Sequence, residues 1–296
     1  MITIFTPTYN RAYTLRRLYQ SLLQQTSKDF VWLIVDDGSG DETEGLVRTW
    51  IDENKIEIEY YYQENAGKSS AHNKGVELSH TELFVCVDSD DYLVESAVQE
   101  VLEVWSKIER EEIIGILAFR GYEDGSELTK YSLSGETTGK LMNLYRKGII
   151  VGDTMLIYRA ELMKECCFPI FENEKFVPEA YLYDQLDEKG LLYVLPRVLY
   201  IGQYLDDGYT KHMAELIVDN PKGYYAWIRQ RLEKDGEIKE RCGDLIRYVS
   251  IAIRMNKKGI VAKSPYPMLT ILVYPLGYLF YLIRYKKLID KREKQR

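Results

Sequence analysis

Three carboxylates, Asp88, Asp90 and Asp91, stand within four residues directly behind the apolar run Leu83-Phe84-Val85-Cys86-Val87. Acids this close repel one another. A hard divalent cation relieves that repulsion, and Mg²⁺ typically takes one or two carboxylates together with substrate phosphates. The competing reading is a loop whose Ser and Asp side chains cap turns and helix starts. The apolar run has the length and β-leaning composition of a buried strand. In open α/β sheets, ligands bind where such strands end.

Strand–helix alternation positions these acids. Strands are predicted at Ile2–Thr6, Phe30–Val35, Ile56–Tyr62, Leu83–Val87 and Ile113–Phe119, with helices between them through Leu15–Leu23, Thr43–Asn54, Ser69–Leu78 and Val94–Ile108. The pattern predicts an α/β fold, a mostly parallel central sheet flanked by helices. A hairpin turn at Glu123–Ser126 adds a mixed element later in the sheet. Further on, the sequence predicts a helix opening at Pro178-Glu179 and two short strands, Leu191–Val194 and Leu199–Ile201. Helices follow at Tyr224–Lys234 and Ile238–Asn256. This divides the chain into residues 1–210 and a helical extension, 211–296.

The chain of 296 residues carries a net charge of −7, which argues against a general nucleic-acid binder. Its four cysteines (Cys86, Cys166, Cys167 and Cys242) match no zinc or CxxC pattern, so a reducing, cytoplasmic compartment is expected. The opening Met1-Ile2-Thr3-Ile4-Phe5 has no basic segment ahead of a long apolar core, and no secretory signal is expected. The tail, about 264–296, is distinct. Met268–Ile283 is apolar over 16 residues, short of the ~20 that a spanning helix needs, and Pro275 is expected to kink it. Arg284–Arg296 follows with seven Lys or Arg against two acids, a net of +5. Such a segment suits the inner face of a membrane, lying in its interface. The alternative is a buried C-terminal helix with a solvated end.

Three tips now converge behind predicted strands: Thr6–Arg11, Asp36–Ser39 and Asp88–Asp91. With Asn65-Ala66-Gly67-Lys68 and Asn73-Lys74-Gly75 they form five motifs in series, and together they resemble the nucleotide-binding half of a family 2 glycosyltransferase of GT-A (Rossmann-like) fold. The resemblance covers Met1–Gly121 well, Val151–Thr210 moderately and the last third poorly. It implies an inverting, metal-dependent hexosyl transfer from a nucleotide sugar, a UDP-sugar, to a lipid-linked saccharide acceptor in surface-polysaccharide synthesis.

The resemblance also implies roles for single residues. Thr6, Pro7, Thr8 and Tyr9 would wall the base and ribose, and Asp36 or Asp37 would contact uracil. Asn65, Gly67, Lys68, Asn73, Asp88 and Ser89 would complete the nucleotide site. Lys68, after a glycine and before a helix, is well placed for a phosphate. Gly67-Lys68-Ser69 is not a P-loop, because position 62 is Tyr where that motif needs Gly. Asp90 would be the direct ligand of Mg²⁺ or Mn²⁺, with Asp88 on the ribose or a metal-bound water. For the base, the family places an acidic pair at a helix start. Here Glu179 matches and Ala180 replaces the second acid, with Asp184 and Asp187 as competitors. His72 stands where relatives often carry Arg, and is read as a helix-surface or packing residue rather than a base. Tyr204–Thr210 resembles an acceptor-side loop. Two other functions remain open: a catalytically silent nucleotide-sugar-binding partner, for which Ala180 speaks, and a sugar-phosphate nucleotidyltransferase, which would want a Gly-rich basic loop after the first strand. Self-association of copies also remains open.

Overall fold

The computed structural model describes residues 1–132, 136–202, 212–234 and 236–293. Tyr204–Thr210 thus lies outside the described residues. The chain divides into two compact units, Met1–Phe168 with Leu182–Leu205, and Pro169–Tyr181 with Asp206–Arg296.

The first unit is built on a nine-stranded sheet. Its early strands are β1 (Ile2–Thr8), β2 (Phe30–Asp36), β3 (Ile58–Tyr62), β4 (Leu83–Cys86) and β5 (Tyr92–Leu93). The later ones are β6 (Ile113–Gly121), β8 (Thr138–Gly139), β10 (Thr154–Arg159) and β11 (Leu191–Ile201), while β7 (Lys130–Tyr131) and β9 (Ile150–Val151) pair separately. The order is β3-β2-β1-β4-β10-β6-β11-β5, with β8 also on β11. From β3 to β4 all pairings are parallel, as the alternation predicts. β10 then runs antiparallel to both β4 and β6. A strand inverted against both neighbours leaves those neighbours running the same way. β6 and its parallel partner β11 therefore end on the same edge as β1, β2 and β4. That shared carboxyl edge is where an α/β sheet offers a ligand site.

β11 is one strand of 11 residues where two short strands are predicted. The interruption in the pattern is Pro196, which lacks an N–H for the ladder. The strand absorbs it as an irregularity, with the register shifting between Leu195 and Val198.

Successive strand residues face opposite sides of the sheet. Ile2, Ile4, Trp32, Ile34 and Val85 join one core with α1 (Ala12–Leu23), α2 (Thr43–Glu53) and α4 (Ala97–Trp105), where Tyr19, Trp32 and Trp50 stack. Phe5 and Phe84 instead pack with α3 (Lys68–Leu78). A Cβ on Gly75 would lie 2.3 Å from the Phe5 ring, so the helix seats here only with glycine. The remaining helices of this part of the chain are α5 (Leu141–Arg146), α6 (Ala160–Lys164) and α7 (Ala180–Leu186).

The second unit is helical: α8 (Met213–Asp219), α9 (Pro221–Leu232), α10 (Ile238–Arg254), α11 (Pro267–Tyr281) and α12 (Lys287–Glu293). A π-helical turn, Leu282–Lys286, joins the last two. Its core holds Ile228, Leu245, Tyr248, Val249 and Tyr285. Glu174 accepts from the backbone N–H groups of Lys222 and Gly223 at 2.9 Å, an anion at the α9 N-terminus. The tail departs from expectation. A single helical course runs from Pro267 to Lys291, 25 residues, with Pro275 inside it. The sequence run looks shorter because it breaks at Arg284, whereas the backbone stays helical through the charged residues.

His72 lies edge-on to Phe5, Phe84 and Phe168, with ring centroids 5.3–5.6 Å apart. Burial, with Lys68 nearby, lowers its pKa from 6.5 to about 3. Its folded form is neutral, so between pH 6.5 and about 3 the unfolded chain binds the extra proton. Stability contributed by neutral His72 is therefore present above pH 6.5 and lost as pH falls, by about 1.4 kcal/mol per unit. Urea unfolding from pH 7 to 4 should show this loss in the wild type and a shallower one in His72→Leu. Parallel profiles would overturn the assignment.

Candidate nucleotide-binding and catalytic site

The site grows from loops at the carboxyl edge of the first unit. After β1 the chain turns through Asn10 in the left-handed region, φ 53°. Asn10 ties the first two tips together. Its N–H donates to Ser39 Oγ and its side-chain oxygen accepts from Gly40 N–H, both at 2.8 Å. Asp37 N–H donates to Thr8 C=O at 2.8 Å. Asp41, which sequence reasoning passed over, accepts from Ala12 N–H at 3.2 Å and Thr43 N–H at 3.0 Å, anchoring the starts of α1 and α2. Its burial is outweighed by these donors, and its pKa is lowered.

Asp36 and Asp37 are both buried and both engaged within the protein. Asp36 accepts from Ser39 N–H at 2.8 Å and from the Tyr60 hydroxyl at 2.7 Å. Asp37 accepts from Gln63 Nε2 at 2.7 Å and from the N–H groups of Ala66 and Gly67 at 2.8 Å. Gly38, at φ 85°, lets the two loops meet, since a Cβ there would sit 2.7 Å from Asn65 N. These acids therefore shape the turn that delivers Lys68 as the first residue of α3. Asn73, also expected at the nucleotide, spends both ends of its amide on the Phe168 backbone at 2.9 Å.

Lys68 reaches the acidic tip, with its ammonium 2.7 Å from Asp88 Oδ1. Both side chains stay partly open to solvent, at 25% and 33%. Burial works against the Asp88 carboxylate, but Lys68 outweighs it and the pKa is lowered. Asp90 goes the other way, raised by burial and by the neighbouring Asp88 charge. Its backbone C=O accepts from Arg17, whose guanidinium lies over the Tyr92 ring.

Asp91 is buried and held from two strands. Arg120 of β6 donates to Oδ2 at 2.6 Å and the Tyr200 hydroxyl of β11 at 2.7 Å. The same hydroxyl accepts from Asp88 N–H at 3.1 Å, while the Arg120 guanidinium lies 3.9 Å from the Tyr200 ring centroid. Neither residue was foreseen, and nothing in their local sequence marks them.

The donor set suits a hard divalent cation. Asp88 and Asp90 offer oxygen ligands, both partly exposed, and the Asp90 carboxylate is disfavoured first by burial and then by the Asp88 charge. Among the described residues, the three acidic or imidazole groups that do converge within 4.8 Å are Glu57, Glu59 and His80, near the β3 edge and away from the expected motif.

For the base, three acids are expected. Glu179 is exposed, immediately before α7. Asp184 and Asp187 are buried. Asp187 accepts from the backbone N–H groups of Leu141 and Met142, capping α5.

A family model described as Glycosyl transferase family 2 matches residues 3–167. An uncharacterized glycosyltransferase of Rickettsia typhi is 31% identical over 123 residues, 42% of this chain and 36% of the relative. Validoxylamine A glucosyltransferase of Streptomyces hygroscopicus subsp. jinggangensis is 36% identical over 106 residues, 34% of this chain and 25% of that enzyme. These matches span about a third or less of the relatives' length. Among solved structures, S. aureus TarS in complex with UDP-GlcNAc aligns with TM-score 0.61 at 20% identity, over 92% of this chain and 79% of that one. Mannosyltransferase PcManGT of Pyrobaculum calidifontis, in complex with GDP-Man and Mn²⁺, aligns at 0.56 and 13%, over 95% and 86%. At these identities the likeness is one of fold.

Tyr200→Phe removes the hydroxyl shared by Asp88 N–H and Asp91 while keeping the ring under Arg120. Leaving those groups short of a partner should cost about 1–3 kcal/mol of stability by urea titration. It should also weaken Mn²⁺ binding measured by calorimetry. Unchanged Mn²⁺ affinity would separate Tyr200 from the acidic tip.

Proposed function

The chain belongs to glycosyl transferase family 2, and on that premise we propose that it is an inverting, metal-dependent transferase taking its sugar from a UDP-sugar. The observation that carries the reading is the Lys68–Asp88 pair. It brings a cation suited to a diphosphate and the acidic tip of β4 to one point, at the carboxyl edge of a GT-A sheet. TarS binds UDP-GlcNAc and PcManGT binds GDP-Man on a similar fold, which supports a nucleotide-sugar donor.

Thr6 to Tyr9, Asp36, Asp37 and the Asn65–Lys68 loop form the nucleotide side. Because Asp36 and Asp37 are already bonded within the protein, the uracil contact is made with the remaining lone pairs of one of them. Lys68 offers its ammonium to the diphosphate. Asp90, with Asp88, holds Mg²⁺ or Mn²⁺, which when bound supplies charge stabilisation for the departing diphosphate. Arg120 and Tyr200 keep Asp91 and the Asp88 backbone in place. Glu179 is the proposed base, since it is the exposed one of the three candidates. It takes the proton of the acceptor hydroxyl, the oxygen bonds to the anomeric carbon, and the bond to the diphosphate breaks with its electron pair leaving on phosphate oxygen. The acceptor proposed is a lipid-linked saccharide at the cytoplasmic face of a membrane, in surface-polysaccharide synthesis.

Nucleoside diphosphate release should be measured from a panel of nucleotide sugars with Mn²⁺. UDP-sugars should turn over, and Asp90→Ala should lose at least about a hundredfold in kcat/KM, several kcal/mol of transition-state stabilisation. Unchanged turnover in that variant sinks the metal assignment. Glu179→Gln should retain UDP binding by calorimetry and lose transfer to the acceptor. Retained transfer would shift the base to Asp184.

A further inference from the structure

The second unit carries a helix that is apolar on both faces. The inner face of α11 is seated on α10. Thr270, Val273 and Gly277 are buried, and a Cβ on Gly277 would lie 2.6 Å from the Val249 side chain. The outer face bears Met268, Ile271, Leu272, Leu276 and Leu279, all at least half exposed, with Met268 at 77% and Leu272 at 73%. At 3.6 residues per turn these five fall within an arc of about 140°. Tyr274 and Tyr278, also exposed, lie along one margin of that arc. Isolated apolar side chains on a surface need no account, but a continuous stripe of this kind marks a binding face.

Charge indicates what covers it. Lys257, Lys258 and Lys263 precede α11 and are exposed, and Arg284, Lys286, Lys287 and Lys291 follow it and are exposed. Over residues 255–291 that is seven cations against one acid, Asp290, a net of +6 in a chain of net −7. An apolar stripe with tyrosines at its margin and cations beyond both ends matches the depth profile of one anionic leaflet: hydrocarbon under the stripe, phosphates at the ends.

The packing also fixes the orientation. By length α11 and its continuation could cross a bilayer. Crossing while packed on α10 would carry Lys239, Glu240, Arg241, Asp244 and Arg247 of that helix into hydrocarbon, which is costly for each charge. Crossing alone would strip Val249 of its cover. The geometry points to α11 as an in-plane, single-leaflet docking helix for an anionic lipid surface. This deepens the lipid-linked acceptor reading and stands on residues outside the donor site.

The test is flotation of the full chain with phosphatidylglycerol–phosphatidylcholine vesicles against phosphatidylcholine alone. Binding should be at least about tenfold tighter to the anionic vesicles and weaken with salt. The Leu272→Asp, Leu276→Asp double variant should lose flotation and keep its circular dichroism and its UDP affinity. Trypsin added outside sealed vesicles should still cleave at the Lys/Arg end beyond Ile283. Equal binding to neutral vesicles, or flotation kept in the double variant, overturns the proposal. So does an end protected until detergent is added, which would mean a spanning helix. A dimer without lipid that fails to float and is broken by the double variant would give the face to a second copy. Loss of UDP affinity in every form would instead strike the donor reading and leave the docking result to stand by itself.

Discussion

Repulsion among three carboxylates at the end of β4 is the constraint that the first unit is arranged to manage. Asp88, Asp90 and Asp91 are each treated differently. Asp88 takes a neighbouring ammonium, Asp91 is buried against a guanidinium and a phenol, and Asp90 is left with its charge disfavoured. Removing one partner of a buried pair such as Arg120–Asp91 leaves an uncompensated charge, which typically costs about 3–5 kcal/mol. The result is a tip in which two acids are fixed and the third is poised to gain from a cation.

That arrangement needs the sheet order. Arg120 ends β6 and Tyr200 ends β11, and both reach the β4 tip because β10 runs antiparallel between β4 and β6. Inverted against both neighbours, β10 leaves β4 and β6 running the same way, and β11 follows β6. The irregularity at Pro196 belongs to the same economy, since the register shift lets β11 continue to Tyr200 past a residue that cannot donate to the ladder.

Legibility followed the range of the forces involved. Strands β1, β2 and β4 were plain because both faces are buried, which writes an unbroken apolar run into the chain. The acidic tips of β2 and β4 were plain for the same reason, as charge directly after such a run stands out. Arg120 and Tyr200 were not, because their partner is 29 and 109 residues away and no spacing encodes it. Nor could Asp36 and Asp37 be seen as scaffolding. Their partners include the N–H groups of Ser39, Ala66 and Gly67, and any residue but proline supplies one. His72, read as a helix-surface or packing residue, is buried among three aromatic rings, the second of the two. In the tail the apolar run ends at the first charge, whereas the helical backbone continues to Lys291.

The family match ends at residue 167, yet the acidic tip is completed by Tyr200. The hydroxyl of Tyr200 is the shared partner of Asp88 N–H and Asp91, so the early motifs do not by themselves specify a rigid tip. Pre-organisation is where such a tip gains its effect: oxygen ligands held in place before a cation arrives need not be ordered when it does. A sequence can therefore carry all five early motifs and still have a looser acidic tip, if the strand at the β11 position lacks a phenol aligned with Asp91. The moderately resembling part of the chain is thus a determinant of how firmly the strongly resembling part is held. Comparison of relatives at the position of Tyr200 should separate tightly from loosely held sites better than the acidic motif itself.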